Sequence, residues 1–282
     1  MTAAPDIDAA TGLERALRRV EGQAPLSPVH GTFGLRVTGA EPGRTRARCG
    51  LPHWLRRADG TIAAGVVAVV ADTALGTALL TTQPPGWSSV TRQLRLDHLA
   101  PIAATADELT AVGRVEDAAG AMPLVVGEIY AGDVRVATAS ARCMPVHAHG
   151  EQAPGPSAGV VEAADLATLL RTRIEGDGGT ARVTCSAPRV FANAFGSLHG
   201  GTVVLVAEQG LDAALQQAGL SAVTLMDLHV TYVRPVPAAG ADVVVEALVQ
   251  RKGRRVVDVE ARLRVGASAA ATVRATYLQG DS

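Results

Sequence analysis

The sequence predicts an α+β fold of two tandem units, each with one long apolar helix followed by antiparallel strands. The first observation is an apolar run at residues 62–80, after which apolar and polar residues alternate with a period of two. The second is a matching helical run that ends near residue 219 and is followed by the same alternation. The third is a Pro-, Gly- and Ser-rich stretch between them. We therefore predict domains at 1–146 and 160–282, joined by a linker at 147–159.

The two halves align with each other at a nearly constant offset. An offset of 136 residues superposes the apolar helices and the turns before them, and pairs Asp72 with Glu208. An offset of 134 superposes the strands that follow, and pairs Pro101 with Pro235. The slip between the two offsets falls in the loop after the helix. A repeat of this length indicates a duplicated domain rather than a solenoid of short repeats.

Local patterns define the elements in chain order. Residues 8–21 carry apolar side chains on one face, which predicts a short amphipathic helix, and two strand-like runs follow within 32–50. The long helix covers 62–82, and further strands are predicted at 90–101, 108–116, 123–130 and 134–145. The second half repeats this order with helices at 161–174 and 200–219. Its strands are predicted at 181–187, 223–233, 242–251, 255–265 and 270–278.

The composition narrows the classes of function. The net charge is −1 and 19% of the residues are charged, so nothing indicates a nucleic acid or an anionic membrane as partner. Three widely spaced cysteines, histidines without metal-ligand spacing and the absence of a signal-peptide pattern favour a reducing, cytoplasmic location and no metal site. Residues 62–80 are long enough to span a bilayer, but Asp72 near their middle favours a buried helix.

The most informative stretch runs from Asn193 to Glu208 and reads N-A-F-G-S-L-H-G-G-T-V-V-L-V-A-E. Its paired glycines open a helix, where bare backbone N–H groups and the positive end of the helix dipole can hold a negatively charged oxygen. His199 and Glu208 are nine residues apart, which is close to half a turn of azimuth and roughly 13 Å of rise. They cannot meet on one helix, so each needs a partner from the second copy of the element.

These residues carry a family resemblance. The motif N-x-x-x-x-x-H-G-G, the acid nine residues after the histidine, and the strand ending in Y-V-R-P at 232–235 resemble the PaaI-like hotdog acyl-CoA thioesterases. The first half has the same layout with a degenerate form of this motif, so the whole chain resembles a tandem, double-hotdog thioesterase. The resemblance implies two hotdog domains, each a long central helix wrapped by an antiparallel β-sheet, packed as an intrachain pseudo-dimer. It also implies active sites at the seam between the domains.

Carried over residue by residue, the resemblance implies one complete seam. It joins the turn of the second half to an acid and a hydroxyl of the first, and consists of Asn193, His199, Gly200, Gly201, Asp72 and Thr91. At the opposite seam Glu208 is present, but Ala63 stands in place of the histidine, and the asparagine and the hydroxyl are absent too. We therefore predict one principal site, with Glu208 either a further catalytic residue or part of a polar remnant.

Thioester hydrolysis needs a nucleophile and a donor for the carbonyl oxygen as it becomes anionic. The N–H groups of Gly200 and Gly201 are the predicted donors. Asp72 would activate a water or attack directly, Thr91 would hold that water, and the asparagine and histidine would fix the turn and polarise the thioester. The alternatives are structural roles: a polar helix residue, glycines that start a helix, a histidine bonded to turn carbonyls and a β-branched strand residue.

Two further features concern the substrate. Arg251, Lys252 and Arg254 lie in a basic hairpin turn and are candidates for binding the phosphates of coenzyme A, with a solvated turn as the alternative. Small aliphatic side chains on the long helices allow a medium-chain or aryl acyl pocket, and these are Val66, Val69, Val203 and Val204.

The sequence thus predicts a thioester hydrolase acting on a fatty or aryl acyl-CoA, without a metal or a redox cofactor. One alternative is a non-catalytic acyl-CoA-binding protein in which both seams have decayed. The other is a hotdog hydratase or dehydratase, whose Asp-to-His spacing is missing because Thr77 and Gln217 stand five residues after Asp72 and Asp212. An exposed sheet face or edge could pair two chains, so we also predict a homodimer.

Overall fold

The computed structural model of the chain describes residues 10–24, 26–57, 60–148 and 161–280. The helices in these ranges are α1 (Gly12–Val20), α2 (Pro28–Phe33), α3 (Val66–Leu80), α4 (Leu166–Leu170) and α5 (Gly200–Gln217). The strands of the first half are β1 (Arg36–Glu41), β2 (Arg44–Gly50), β3 (Trp87–His98), β4 (Glu108–Asp117), β5 (Leu124–Ala131) and β6 (Val134–His147). Those of the second half are β7 (Arg173–Glu175), β8 (Thr180–Ser186), β9 (Val223–Tyr232), β10 (Asp242–Lys252), β11 (Val256–Val265) and β12 (Ser268–Gln279).

These strands form one antiparallel sheet, in the order β1-β2-β4-β5-β6-β3-β9-β12-β11-β10-β8-β7. The two halves are joined at its centre, where residues 93–97 of β3 pair with residues 227–231 of β9. Buried leucine and valine side chains lie opposite each other in this ladder, as at Leu94 and Val230. Residues 87–92 of β3 extend beyond the ladder with β9. The edge of this part of β3 is therefore available to line a site at the seam.

The two long helices pack against each other and against the strands of the sheet, and they run in opposite directions, since Gly65 lies near Leu205 and Gly201 near Val69. Every residue of α3 except Gly76 is buried. Glycines in the sheet let the helix come close, since a Cβ added at Gly113 would lie 2.6 Å from the carbonyl oxygen of Ala74. No helix among the described residues is both long and apolar enough to cross a membrane. The predicted architecture of a long helix wrapped by antiparallel strands is thus present in both halves.

A small aromatic cluster ties the two halves together away from the sheet. Phe33 at the end of α2 packs on Trp54 and on Phe191, with ring centroids 5.2 and 5.4 Å apart. Trp54 and Phe191 lie in short 3-10 turns at equivalent positions of the two halves. Aromatics make up only 3% of the chain, so this cluster concentrates much of its large apolar surface at the contact between the halves.

The structure corrects the predicted helix at 161–174. The helix that forms is α4, which has only five residues, and Arg171 ends it in the left-handed conformation with φ of 52°. Residues 173–175 then form β7 at the edge of the sheet. The apolar spacing that predicted a longer helix is satisfied by Leu166 and Leu170, which are buried in the core.

Two other boundaries differ from the prediction. The Thr11 side chain caps α1 in a capping box with Glu14, so this helix begins at Gly12, and the start predicted at residue 8 lies outside the described residues. His147, predicted to start the linker, is the last residue of β6 and stacks on Trp87 with centroids 4.1 Å apart. The rest of the predicted linker, from residue 149 onward, lies outside the described residues. The domain limits and the homodimer stay predictions.

Candidate active site

The turn before α5 is held by the side chain of Asn193. Its Oδ1 accepts hydrogen bonds from the backbone N–H groups of Phe195 (2.9 Å) and Ser197 (3.2 Å). Gly196 between them takes the left-handed conformation, with φ of 73°. Asparagine closes such turns by bonding the backbone two residues on. Asn193 thereby fixes the turn that delivers His199 to the start of α5.

His199 is the N-cap of α5, and its two ring nitrogens have different partners. Nδ1 accepts a hydrogen bond from the N–H of Gly201 at 3.2 Å, which leaves the ring proton on Nε2. Nε2 lies 3.1 Å from Oγ1 of Thr73, whose own hydroxyl donates to the carbonyl oxygen of Val69. Burial lowers the pKa of His199, and the nearby Asp72 opposes this shift only in part. The ring is therefore neutral, with a fixed tautomer.

Asp72 comes from α3 of the first half and meets the turn of the second half across the seam. It is 9% exposed, and its Oδ1 accepts a hydrogen bond of 2.6 Å from the hydroxyl of Thr91 on β3. Its Oδ2 lies 3.4 Å from Nε2 of His199. A Cβ added at Gly200 would lie 2.6 Å from the same Oδ2, so only glycine fits opposite the carboxylate. We call the group Asp72, Thr91, His199 and Gly200 the Asp72 seam.

The two N–H groups at the start of α5 are not equivalent. The N–H of Gly201 is already bonded to the ring of His199. Gly200 lines the cavity at the seam, and within the described part of the chain no acceptor is bonded to its N–H. The sequence predicts both groups as donors to a substrate oxygen. The structure leaves the N–H of Gly200 as the open donor, at the positive end of the α5 dipole.

Two further polar side chains lie close to Asp72. The hydroxyl of Tyr232, at the end of β9, donates a 2.9 Å hydrogen bond to the carbonyl oxygen of Gly200. Burial raises the pKa of Tyr232 well above its ordinary value, and Asp72 adds to the effect. Burial likewise raises the pKa of the Cys143 thiol to about 12. Both groups stay protonated at neutral pH, so Tyr232 acts as a donor and Cys143 is not a nucleophile.

A cavity of about 260 Å³ opens beside Asp72. Both halves and the N-terminal segment line it, and among the lining residues are Arg19, Ser27, His30, Thr77, Ser88, Arg92, Asn193, Phe195, Val203 and Arg234. Of the four valines predicted to form an acyl pocket, Val203 alone belongs to this lining. The others pack into the core between the helices and the sheet. The apolar part of the wall is formed by other residues instead, among them Leu80, Val90 and Val236.

Three residues without a predicted role in the site also line this cavity: Thr73, Tyr232 and His30. Thr73 follows Asp72 directly and Tyr232 begins the Y-V-R-P motif, so their sequence neighbours carried a signal that could have found them. His30 lies far from every motif residue in sequence. The packing of α2 against the second half brings it to the site, and the sequence pattern holds no trace of that contact.

The opposite seam has a different arrangement around Glu208. Its carboxylate accepts hydrogen bonds from the N–H groups of Ala64 (2.8 Å) and Gly65 (2.9 Å), the equivalents of Gly200 and Gly201. Arg57 bonds the same carboxylate at 2.6 Å and also bonds Asp212 at 2.6 Å. Because the Glu208 side chain is one methylene longer than aspartate, it reaches the backbone donors itself. We call this group the Glu208 seam, and its donors are occupied.

The basic turn is remote from the Asp72 seam. The Nζ of Lys252 donates to the carbonyl oxygen of Ala218, just beyond the C-terminal end of α5. Gly200 begins the same helix, so the two positions are separated by about 27 Å of helix rise. Arg251 and Arg254 flank Lys252 in this exposed turn, and none of the three lines the described cavity. The structure therefore does not bring the predicted phosphate-binding residues to the predicted catalytic residues.

Gly201 has a packing role that a substitution would expose. A Cβ added there would lie 2.3 Å from Cα of Val69 and 2.5 Å from the carbonyl oxygen of Ala68, so α5 could not approach α3. We expect Gly201→Ala to lower the free energy of unfolding by about 3 kcal/mol, measured by urea denaturation. Gly76→Ala is the control, because its Cβ would meet only Ser89 Oγ at 3.9 Å. Equal stability of the two variants would contradict this packing.

The buried histidine His30 predicts loss of stability in acid. Burial, with Arg19 nearby, lowers its pKa from 6.5 to about 3. Between these values the unfolded chain binds a proton that the native ring does not, so the free energy of unfolding falls as pH drops below 6.5. We expect wild type to lose about 1 kcal/mol more than His30→Asn between pH 7.5 and 5.5. Urea denaturation at both pH values tests this, and equal losses would contradict it.

The fold and the two seams define the class of architecture: two hotdog units in tandem, with a carboxylate facing a glycine turn across the contact of the two halves. The family model of the thioesterase superfamily matches residues 59–138 and 195–269, one segment in each half. Together these segments cover more than half of the chain. The chain belongs to the thioesterase superfamily and is a thioester hydrolase.

Solved structures share this fold over almost the whole chain. The tesB protein of Mycobacterium avium subs paratuberculosis superposes with a TM-score of 0.63 at 12% identity, over 96% of this chain and 100% of that one. An acyl-CoA thioesterase II, TesB2, of Mycobacterium marinum gives 0.58 at 12%, over 90% and 98%. A structure described as an oleoyl thioesterase of Lactobacillus plantarum gives 0.62 at 13%, over 86% and 99%. No curated protein matches the sequence.

Proposed function

We propose that the protein hydrolyses the thioester of an acyl-CoA at one principal site, the Asp72 seam. The observation that carries this proposal is the meeting of Asp72 from the first half with His199 and Gly200 from the second, around one cavity. The family supports thioester hydrolysis. The acyl-CoA substrate is supported by the motif resemblance and by structural neighbours named for that activity.

The proposed chemistry begins with the carbonyl oxygen of the thioester, which accepts the N–H of Gly200. As the carbonyl carbon is attacked, negative charge develops on this oxygen beside the N-terminus of α5, where a single backbone donor contributes about 10²–10³ in rate. The hydrogen bond from Tyr232 to the carbonyl oxygen of Gly200 holds the turn in place. The turn is thus oriented before the substrate arrives, which avoids reorganisation during the reaction.

Asp72 is the proposed general base or nucleophile of the reaction. As a general base it takes a proton from a water molecule, and the hydroxide forms a tetrahedral intermediate at the carbonyl carbon. The carbon–sulfur bond then breaks, and the proton passes from Asp72 to the leaving thiolate, so the products are a carboxylic acid and free coenzyme A. In the alternative path the Asp72 carboxylate attacks the carbon directly, the carbon–sulfur bond breaks as the thiolate leaves, and an anhydride forms. Water then hydrolyses the anhydride, which regenerates the Asp72 carboxylate, releases the carboxylic acid and supplies the proton that the thiolate of coenzyme A takes up.

The hydrogen bond from Thr91 to Asp72 supports a role for Thr91 that differs from the predicted one, which was to hold the attacking water. Its hydroxyl donates to Oδ1 of Asp72 at 2.6 Å, so we propose that it orients the carboxylate and leaves Oδ2 for the reaction. His199, which is neutral, orients Asp72 and Gly201 and does not donate a proton to the leaving group.

The proposed function is tested by hydrolysis of acyl-CoA thioesters of short, medium, long and aryl acyl groups, followed by release of free thiol. We expect turnover of at least one group with a kcat of about 1 s⁻¹ or more. Binding of coenzyme A without hydrolysis of any thioester would support the non-catalytic alternative instead.

A further inference from the structure

The cavity beside Asp72 is lined by two hydroxyl-bearing residues that the proposed chemistry does not use. Thr77 on α3 is 5% exposed and Ser88 on β3 is 6% exposed, and both line the cavity. Across the described ranges of the chain, neither hydroxyl is bonded to another residue, and neither oxygen is among the fully enclosed polar atoms that lack a partner. Both oxygens are therefore open to the cavity, where a hydroxyl can donate to a ligand.

Neighbouring hydroxyls on α3 and β3 do have hydrogen-bond partners within the protein. Thr73, one turn before Thr77 on the same helix, donates to the carbonyl oxygen of Val69 four residues back. Ser89, next to Ser88 on the same strand, donates to the carbonyl oxygen of Gly76 at 2.7 Å. Thr77 makes no such bond to the helix behind it. Its hydroxyl and that of Ser88 are therefore available to a ligand in the cavity.

The charges around the cavity indicate which kind of ligand. Its described lining includes three arginines, Arg19, Arg92 and Arg234, and one acidic residue, the catalytic candidate Asp72. Arg19 belongs to α1 and lies near His30, whose pKa it helps to lower. The neutral His30 ring is held at 2.7 Å by the hydroxyl of Ser27. Hydroxyls, a neutral imidazole and guanidinium groups can all donate hydrogen bonds to an anionic oxygen.

The wall that carries Arg19 is fixed to the rest of the fold. The N–H of Gly12, at the start of α1, donates to the carbonyl oxygen of Gln83 at 3.0 Å. Arg15, which is 7% exposed, donates to the carbonyl oxygen of Trp87. Gln83 lies in the loop between α3 and β3, and Trp87 is the first residue of β3, next to Ser88 of the cavity lining. The arginine is therefore presented by a docked helix rather than by a free terminus.

We propose that this part of the cavity, the chamber formed by Thr77, Ser88, His30 and Arg19, binds a carboxylate at the far end of the acyl group. The inference rests on the proposed function and names its substrate class: monothioesters of dicarboxylic acids. Thr77 is five residues beyond Asp72, a rise of about 7.5 Å. An extended six-carbon acyl group has five carbon–carbon steps of about 1.25 Å, about 6 Å in all, and its far carboxylate oxygens reach about 1 Å farther, so they come close to the level of Thr77.

The experiment compares adipoyl-CoA with hexanoyl-CoA, which have the same number of acyl carbons and differ only at the far end. We expect kcat/KM of wild type to be at least about tenfold higher for adipoyl-CoA. In Thr77→Val and in Ser88→Ala the value for adipoyl-CoA is expected to fall by about 10-fold or more, while that for hexanoyl-CoA changes by less than about threefold. Ser89→Ala is the matched control, because its hydroxyl is already bonded, and it should leave the ratio of the two substrates unchanged.

Three results would overturn the inference. In the first, wild type hydrolyses hexanoyl-CoA at least as well as adipoyl-CoA, which leaves the proposed function intact. In the second, Thr77→Val lowers kcat/KM for both substrates by the same factor, as expected if the hydroxyl holds the attacking water. In the third, Ser88→Ala weakens the binding of free coenzyme A in calorimetry, which would assign the chamber to a phosphate of the cofactor portion. Failure to hydrolyse any thioester would remove the proposed function and this inference together.

Discussion

Replacing Asp72 with asparagine is expected to lower kcat for acyl-CoA hydrolysis by about 10²–10⁴-fold. Asparagine keeps the shape of the side chain and one acceptor for the hydroxyl of Thr91, so the variant should fold as wild type does. It cannot take a proton from water or attack as a carboxylate at neutral pH. Steady-state release of free thiol, with circular dichroism to verify the fold, measures the effect.

Glu208→Gln provides the matched control, because Glu208 stands at the equivalent position of the other helix. Its carboxylate is occupied by the N–H groups of Ala64 and Gly65 and by Arg57. We expect the variant to keep kcat within about threefold of wild type, once a loss of stability is allowed for. Loss of activity in Glu208→Gln with activity retained in Asp72→Asn would mean that the Glu208 seam is the working site.

Replacing Arg57 with alanine is expected to change stability strongly and hydrolysis little. Burial acts to lower the pKa of Arg57, but Glu208 and Asp212 outweigh it and raise the pKa, which shows how strongly the two carboxylates hold the guanidinium. Without it, the two carboxylates stand side by side and Glu208, 6% exposed, loses its cation. Because the arginine side chain is 36% exposed, we expect a loss of about 2–3 kcal/mol rather than the larger value of a fully buried pair.

A surface ion pair supplies the control for this measurement. Arg182 and Glu246 lie 2.5 Å apart on neighbouring strands, with side chains 52% and 45% exposed. Arg182→Ala should lower the free energy of unfolding by less than about 1 kcal/mol. If Arg57→Ala were no more destabilising than Arg182→Ala, the Glu208 seam would not be a stabilising cluster. If Arg57→Ala abolished hydrolysis while the protein stayed folded, the Glu208 seam would instead have a catalytic role.

The sequence predicts the fold well because the fold follows from local and repeated patterns. The offset that pairs Asp72 with Glu208 superposes the two long helices, and the structure has them packed as equivalents in one sheet. The predicted helix at 161–174 was wrong because its end depends on the conformation of Arg171, which apolar spacing does not encode. The hotdog architecture and the thioesterase family were confirmed, since the motif around His199 is specific enough to carry both.

The site was predictable only where a motif marks it. The spacing of His199 and Glu208 predicts that each needs a partner from the other half, and the repeat with the family resemblance implies Asp72 as the partner of His199; the structure places their side-chain atoms 3.4 Å apart. Which of the two N–H groups, that of Gly200 or that of Gly201, is the open donor depends on the rotation of the His199 ring. Tertiary packing sets this rotation, and no sequence pattern encodes it. The composition of the basic turn at 251–255 predicts a phosphate site. The turn lies at the C-terminal end of α5, however, so the length of this helix separates it from Gly200. His30 reaches the cavity through tertiary packing, which leaves no periodic signal in the sequence.

The most direct test of the account is a double-variant cycle between the two halves, with kcat measured for Asp72→Asn, His199→Ala and the combination. If both residues belong to one site built across the seam, each single variant should fall far below half of the wild-type kcat. The combination should then lose little more than Asp72→Asn alone, since residues that act as a unit are not additive. If each single variant kept about half of the activity and the combination lost all of it, the two residues would belong to two separate sites, and the account of one shared site would be wrong.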